Sequence, residues 1–243
     1  MSVPTGELAA RLPDAPRLVE TRAMLLSGAC EVLGDPQAGN YVVRSLDTTL
    51  AAIVGRPSPA AIRDAATRTD GVDVLCPEDA AGPAASALPE WSARPATIHV
   101  LRDERAAAHR EPRLDVRLVG GEEPIPLGHL PAPLRQEMEA ARRRSPLSVG
   151  FAAGVAVSFA YAPWQTEALC DVSIDTLAGY RQRGLGAATA WLLIEHMRAR
   201  GKQPVWGAME GNVASLRLAA RLGFVPVDRL IVISRASAKE DER

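Results

Sequence analysis

The chain is sparing with the residues on which small secreted or metal-bound proteins depend. Cysteine occurs three times in 243 residues, at Cys30, Cys76 and Cys170. The number is odd, the positions are far apart and no CxxC pair exists. That argues against a disulfide framework and a zinc site, and fits a reducing compartment. The four histidines, His99, His109, His129 and His196, show no metal-ligand spacing, so no metal is expected. Neither sign of charge dominates: a net charge of −1 gives no electrostatic ground for nucleic-acid or membrane-surface binding. The four tryptophans are too scattered for a base-stacking platform. Long apolar runs are absent, and the most apolar stretch, Val149 to Ala162, is too short and too strand-like to cross a bilayer. The first residues lack the basic-then-apolar order of a signal peptide, and the expectation is a cytoplasmic protein.

What is present is ordinary globular material, 47% apolar and 23% charged, long enough for one large or two small domains. Periodicity and turn residues predict a helix over Arg17 to Leu33 and a hairpin of Tyr41 to Leu46 with Leu50 to Val54. Ser58 and Pro59 read as the cap and first residue of the next helix. Short strands follow at Val72 to Leu75 and Thr97 to Leu101, and the charged segment Arg102 to Arg113 separates two regions, 1–112 and 113–243. The second region reads as a strand at Asp115 to Val119, a helix over Pro131 to Arg144, and a hairpin about Gly154. A strand at Ala168 to Thr176, a helix to Arg200, a strand at Pro204 to Ala208, a helix over Asn212 to Leu222 and a last strand at Leu230 to Ser234 complete it.

The junction after the Ala168 to Thr176 strand carries the chemistry. Tyr180-Arg-Gln-Arg-Gly-Leu-Gly-Ala-Ala188 sets glycines at 184 and 186 beside Arg181 and Arg183, where a helix begins. Glycine admits close approach of a ligand to the backbone, and a helix start offers unpaired N–H groups with partial positive charge. Together they make a phosphate socket that arginines strengthen. A P-loop reading fails because Ala187-Ala188, not Lys-Ser/Thr, follows Gly186. A dinucleotide fingerprint fails because Thr189 stands where the third glycine belongs, and no suitable acid follows.

Arg181-Gln-Arg-Gly184-Leu-Gly186 resembles the (Arg/Gln)-x-x-Gly-x-(Gly/Ala) turn of GNAT-type N-acetyltransferases. Asn212-Val-Ala-Ser215 with Leu222-Gly-Phe224 resembles that family's Asn-x-x-(Ala/Ser)…Leu-Gly-Phe helix, and Val172 to Thr176 its fourth strand. The resemblance covers Ala168 to Val227 well, extends less clearly back to about Asp115, and is absent before about Arg110. It implies that Arg181, Gln182, Arg183, Gly184, Leu185, Gly186 and Ala187 hold the pyrophosphate of acetyl-CoA. It further implies that Asn212 and Ser215 meet the pantetheine arm, and that Ile174, Asp175 and Thr176 receive the thioester.

Strand alternation sends Asp171, Ser173 and Asp175 to one face and Val172, Ile174 and Thr176 to the other. Lining a wet cleft is one reason for three polar side chains on so enclosed a strand. In the family a carboxylate on this strand acts as general base on the acceptor amine. Asp171 lies near that position, one residue closer to the glycine turn than the commonest spacing, a difference that a bulge can absorb. N–H groups near Ile174 to Thr176 would steady the oxyanion. Many members carry a tyrosine in the last helix as acid for the departing thiolate; here that position is Ala219, with Ser215 or Tyr180 as substitutes. Simpler roles stand beside these. The glycines alone suit a tight turn, Asn212 suits a helix cap, Arg181 and Arg183 suit solvent, and Asp171 suits an ion pair.

The expectation is therefore an α/β protein with a GNAT-like mixed, splayed β-sheet flanked by helices, preceded by a smaller α/β N-terminal region. That region is either a degenerate copy of the same fold or a lid that shapes acceptor choice. The expected activity is acetyl transfer from acetyl-CoA to a primary amine, with a non-catalytic acyl-CoA-binding sensor or scaffold as the alternative. Its partners would be a CoA thioester and an amine acceptor, and a homodimer is among the expectations because sheet-edge dimers are common in proteins of this kind.

Overall fold

The computed structural model describes residues 3–68, 71–102, 114–120 and 123–235. It divides into two compact units: Met1–Ile98 with Ala208–Asn212 and Val227–Arg243, and His99–Gly207 with Val213–Pro226. The boundary expected at residue 112 falls outside the described residues.

In the first unit, α1 (Thr5–Arg11) and α2 (Val19–Ser27) precede a meander of β1 (Cys30–Asp35), β2 (Asn40–Ser45) and β3 (Leu50–Val54), antiparallel throughout. The helix expected to reach Leu33 stops early. Gly28 takes φ 69° at the C-cap of α2, a left-handed residue that ends the helix, and Cys30 to Leu33 become strand. The expected hairpin of Tyr41 with Val54 forms in register. Helix α3 (Pro59–Thr67) then buries Ile62, Ala65 and Ala66, spaced three and four apart, and β4 (Asp73–Cys76) returns parallel to β3. Helix α4 (Ala81–Ala87) and β5 (Trp91–Leu101) follow, in a stretch whose Ala/Pro content hid the helix. One buried cluster joins these elements through Val42, Ala51, Ile53, Ile62, Val74 and Ile233.

In the second unit, β6 (Asp115–Val119), β7 (Leu147–Ala152), β8 (Val155–Tyr161) and β10 (Ser173–Thr176) form an antiparallel sheet in the order β10-β8-β7-β6. Ala153 and Gly154, both with positive φ, close the β7–β8 hairpin, whose strands' twist such turns match. Helix α5 (Ala132–Arg142) packs Leu134, Met138 and Ala141 against this sheet, the face expected from its periodicity. β9 (Leu169–Asp171) lies parallel to β11 (Gln203–Met209), and α6 (Leu185–Arg198) connects the broken β9/β10 strand to β11. A Cβ at Gly150 would stand 2.7 Å from Thr189 Oγ1, so a glycine there lets α6 lie close on β7. Helix α7 (Val213–Arg221) precedes β12 (Phe224–Arg235), whose later residues pair antiparallel with β4 in the first unit. The expected mixed, splayed sheet flanked by helices is what forms.

Candidate functional site

The strand expected over Ala168 to Thr176 is broken at Val172, and the break builds the site. Leu169 to Asp171 pair with Gln203 to Val205, and the Val172 N–H gives Val205 O a hydrogen bond of 2.9 Å. Beyond it β10 pairs only with β8. Leu177 N–H donates to Val157 O at 2.9 Å, so by two-residue alternation the Asp175 and Ser173 amides also face β8. The main-chain groups of Ile174 and Thr176 therefore face the opposite edge. Thr176 O bears this out: it accepts from Arg181 Nε at 3.0 Å. Because β10 is the outer strand of its sheet, its Ile174 and Thr176 amides lie on an edge with no strand alongside among the described residues. These are backbone donors aimed into the opening between two diverging strands.

At the end of β10 the chain makes a single 3-10 turn, Ala178–Tyr180, and passes through Gln182 at φ 61° to Gly184 at φ 82°. Gly184 is the N-cap of α6 and has no side chain to cap it, so among the described residues no N-cap side chain closes the first turn. A Cβ at Gly186 would lie 3.2 Å from Thr176 Oγ1, and the Thr176 hydroxyl is itself 2.8 Å from Ser158 Oγ. The helix start is thus pressed against the end of β10. Arg181, Gln182 and Arg183 are exposed, with the Arg183 guanidinium 5.4 Å from the Tyr180 ring centre. Uncapped amides, a left-handed glycine and two guanidinium groups form a donor set that suits a diphosphate.

Asp171 and Ser173 share a face, as alternation requires, and the Ser173 hydroxyl and Val172 N–H hydrogen-bond the Asp171 carboxylate. The residue keeps part of its surface, but its carboxyl group is enclosed. Desolvation is the largest influence and outweighs both hydrogen bonds, pushing the pKa from 3.8 up to about 7. Asp175 is engaged within its own sheet. Its amide faces β8 and its carboxylate accepts from Tyr161 Oη at 3.0 Å, on the face away from Thr176. The same buried hydroxyl lies 2.5 Å from Glu137 Oε1 of α5. Burial first, then the two carboxylates, hold the Tyr161 proton far more tightly than usual. Tyr161 and Glu137 carry no sequence signal beyond a strand end and an exposed helix turn.

Ser215 Oγ accepts from the buried Trp206 Nε1 at 3.0 Å, which pins the first turn of α7 to β11. Trp206 was invisible as a functional residue because only the fold brings it opposite Ser215. Asn212 directly precedes α7, and its N–H donates to Met209 O at 2.9 Å. Ala219 is fully buried, so the α7 position where a tyrosine is common faces the interior. Among the described residues no His/Cys/Asp/Glu group is placed to hold a metal, and no helix is long and apolar enough to cross a membrane.

Residues 151–233 match the family model for GNAT acetyltransferase. The fold is similar to that of a GCN5-related N-acetyltransferase-like protein from Streptococcus suis, with 15% identity over 96% of this chain and 100% of that one and a TM-score of 0.70. It is also similar to a putative GNAT-family acetyltransferase from Novosphingobium aromaticivorans, with 16% identity, 92% and 100% coverage and a TM-score of 0.58. A tandem GNAT protein from the clavulanic acid biosynthesis pathway matches with 14% identity, 97% and 94% coverage and a TM-score of 0.56. Likenesses at this identity concern the fold. No curated protein matches the chain.

Proposed function

We propose, from the match of residues 151–233 to the GNAT acetyltransferase model, that the chain is an acyl-CoA-dependent N-acyltransferase moving an acetyl group to a primary amine. One observation carries the reading: the open edge of β10 ends at the uncapped start of α6. Backbone donors for an acyl oxygen and for a diphosphate thereby lie on one continuous run of chain, 174–187.

Acetyl-CoA would supply an activated acyl thioester. Gly184, Gly186 and the amides of Leu185 and Ala187 would hold its diphosphate, with Arg181 and Arg183 at the rim. Arg181 is anchored to Thr176 O and so is already oriented. The Ile174 and Thr176 amides donate to negative charge as it develops on the acyl oxygen. Asp171, raised to about 7, takes a proton from the incoming ammonium and frees its nitrogen lone pair. Ser215 and Tyr180 are the groups near enough in sequence to the socket and to α7 to serve the leaving thiolate. The amine side of the reading has its own support in the face shared by Asp171, Ser173 and Asp175.

Purified protein incubated with acetyl-CoA and a panel of amines should release free thiol in an amine-dependent way. A second reading, a non-catalytic acyl-CoA-binding module, is favoured by the buried Ala219. Tight CoA binding without amine-dependent thiol release across the panel selects it. No shift in melting temperature at millimolar CoA removes both readings, because a ligand bound to the native state stabilises it.

A further inference from the structure

Two successive stretches of the chain repeat one order of elements. The meander β1-β2-β3, helix α3, the parallel strand β4, helix α4 and strand β5 match the meander β7-β8-β10, helix α6, the parallel strand β11, helix α7 and strand β12. In both, the strand before the first helix pairs in parallel with the strand after it over three residues, Leu50 to Ala52 with Asp73 to Leu75 and Leu169 to Asp171 with Gln203 to Val205. The repetition invites the question whether the first unit binds an acyl-CoA as well.

The junction of β3 and α3 answers it. Four residues, Gly55 to Ser58, connect them, where Leu177 to Gly184 connect β10 and α6. Four backbone positions at this junction, 56, 57, 59 and 61, have no N–H left to offer an anion. Pro57 and Pro59 have no N–H, the Arg56 N–H donates to Asn40 Oδ1 at 2.7 Å, and the Ala61 N–H donates to Ser58 Oγ at 3.2 Å. The turn has no room for a ligand either. A Cβ at Gly55 would lie 2.2 Å from Gly39 O, so the β1–β2 turn sits against it. Beyond the last paired residues, Ile53 and Cys76 are buried in one cluster with Ala80, Ala84 and Leu88, and β3 runs unbroken where its counterpart breaks at Val172. Apolar side chains fill the place of the opening.

We infer that the first unit is a sealed copy of the same topology, so that one chain carries one acyl-CoA site. The inference rests on the proposed CoA site of the second unit. Calorimetric titration of the full chain with acetyl-CoA tests it: one equivalent per chain is expected, and two equivalents overturn it. Hydrogen exchange with acetyl-CoA present should protect amides of 177–189 and leave 55–62 unchanged; protection at 55–62 overturns it without touching the second unit's site. Gly184→Asp should remove all binding at the parent's affinity, and an equivalent that keeps that affinity in the variant places a site elsewhere and overturns the inference. A parent chain that binds none overturns the reading of the second unit, and the inference with it.

Discussion

The β3–α3 and β10–α6 junctions do the same mechanical work and finish their helices in opposite ways. Each carries the chain from a strand into a helix that returns it to a parallel neighbour, and each uses a left-handed glycine, Gly55 at φ 63° and Gly184 at φ 82°. The first junction engages its Ala61 and Arg56 amides through Ser58 and Asn40. The second leaves its helix start without a side-chain cap, behind a longer loop with two exposed arginines. Capping a helix with a serine side chain is worth about 1 kcal/mol, so the second junction forgoes stability that the first keeps. A donor left open at a helix start is useful when something else supplies the acceptor. A difference in capping, not in topology, separates the two turns.

The contrast has measurable consequences of decreasing size. The largest lies at Asp171. Asp171→Asn should lower turnover by roughly 10²- to 10⁴-fold with little change in acetyl-CoA affinity. In the parent, the ionised form is the base, so the rate should rise with pH through about 7 and level above it. An amine-dependent rate in the variant that keeps the parent's pH profile would assign the proton to another group. Stability provides an independent check of the same carboxyl. Its pKa is raised in the folded state, so between about pH 4 and 7 the native chain holds a proton that the unfolded chain has lost, and stability falls across that window. Without ligand, Asp171→Asn should therefore melt above the parent at pH 8 and level with it near pH 4. A variant that melts lower at both would mean that the carboxylate is paired, not desolvated.

The two glycines come next and should fail differently. Gly184→Asp places a negative charge and a Cβ in the proposed socket, and acetyl-CoA affinity should drop by about a hundredfold or more, roughly 2.7 kcal/mol. Gly55→Ala should leave acetyl-CoA affinity unchanged and lower unfolding stability by about 2–4 kcal/mol, since a strained left-handed residue is combined with overpacking. Titration and denaturant melts on both variants separate the cases; equal losses of affinity would erase the distinction between the junctions. The smallest effect belongs to Ser58→Ala, which should cost about 1 kcal/mol of stability with unchanged binding. A change in acetyl-CoA affinity there would mean that the first junction is not merely structural.

Much of the second unit was legible because its signals are local. Gly184 and Gly186 beside a predicted helix, the Ser58-Pro59 start of α3, the hairpin about Gly154 and the period of α5 all depend on neighbours within a few residues. Other features depend on contacts remote in sequence. The helix over Arg17 to Leu33 read through Gly28, because nothing local says that the following residues will pair as strand with Tyr41 to Ser45. Asp175 stands beside Ile174 and Thr176, but its carboxylate meets Tyr161 only once β10 and β8 are paired. Trp206 and Ser215, nine residues apart, meet only once β11 and α7 are packed.

By itself, the order of residues determined most secondary elements of the second unit, the glycine turn at Gly184 and the chemistry available around it, since these follow from backbone sterics and short-range hydrogen bonding. Packing alone decided that β9 and β10 part at Val172, that Asp171 loses its water and that the copy of this turn in the first unit is closed. Each of those depends on atoms from distant stretches of chain competing for the same donors and the same space, a contest that no local pattern records.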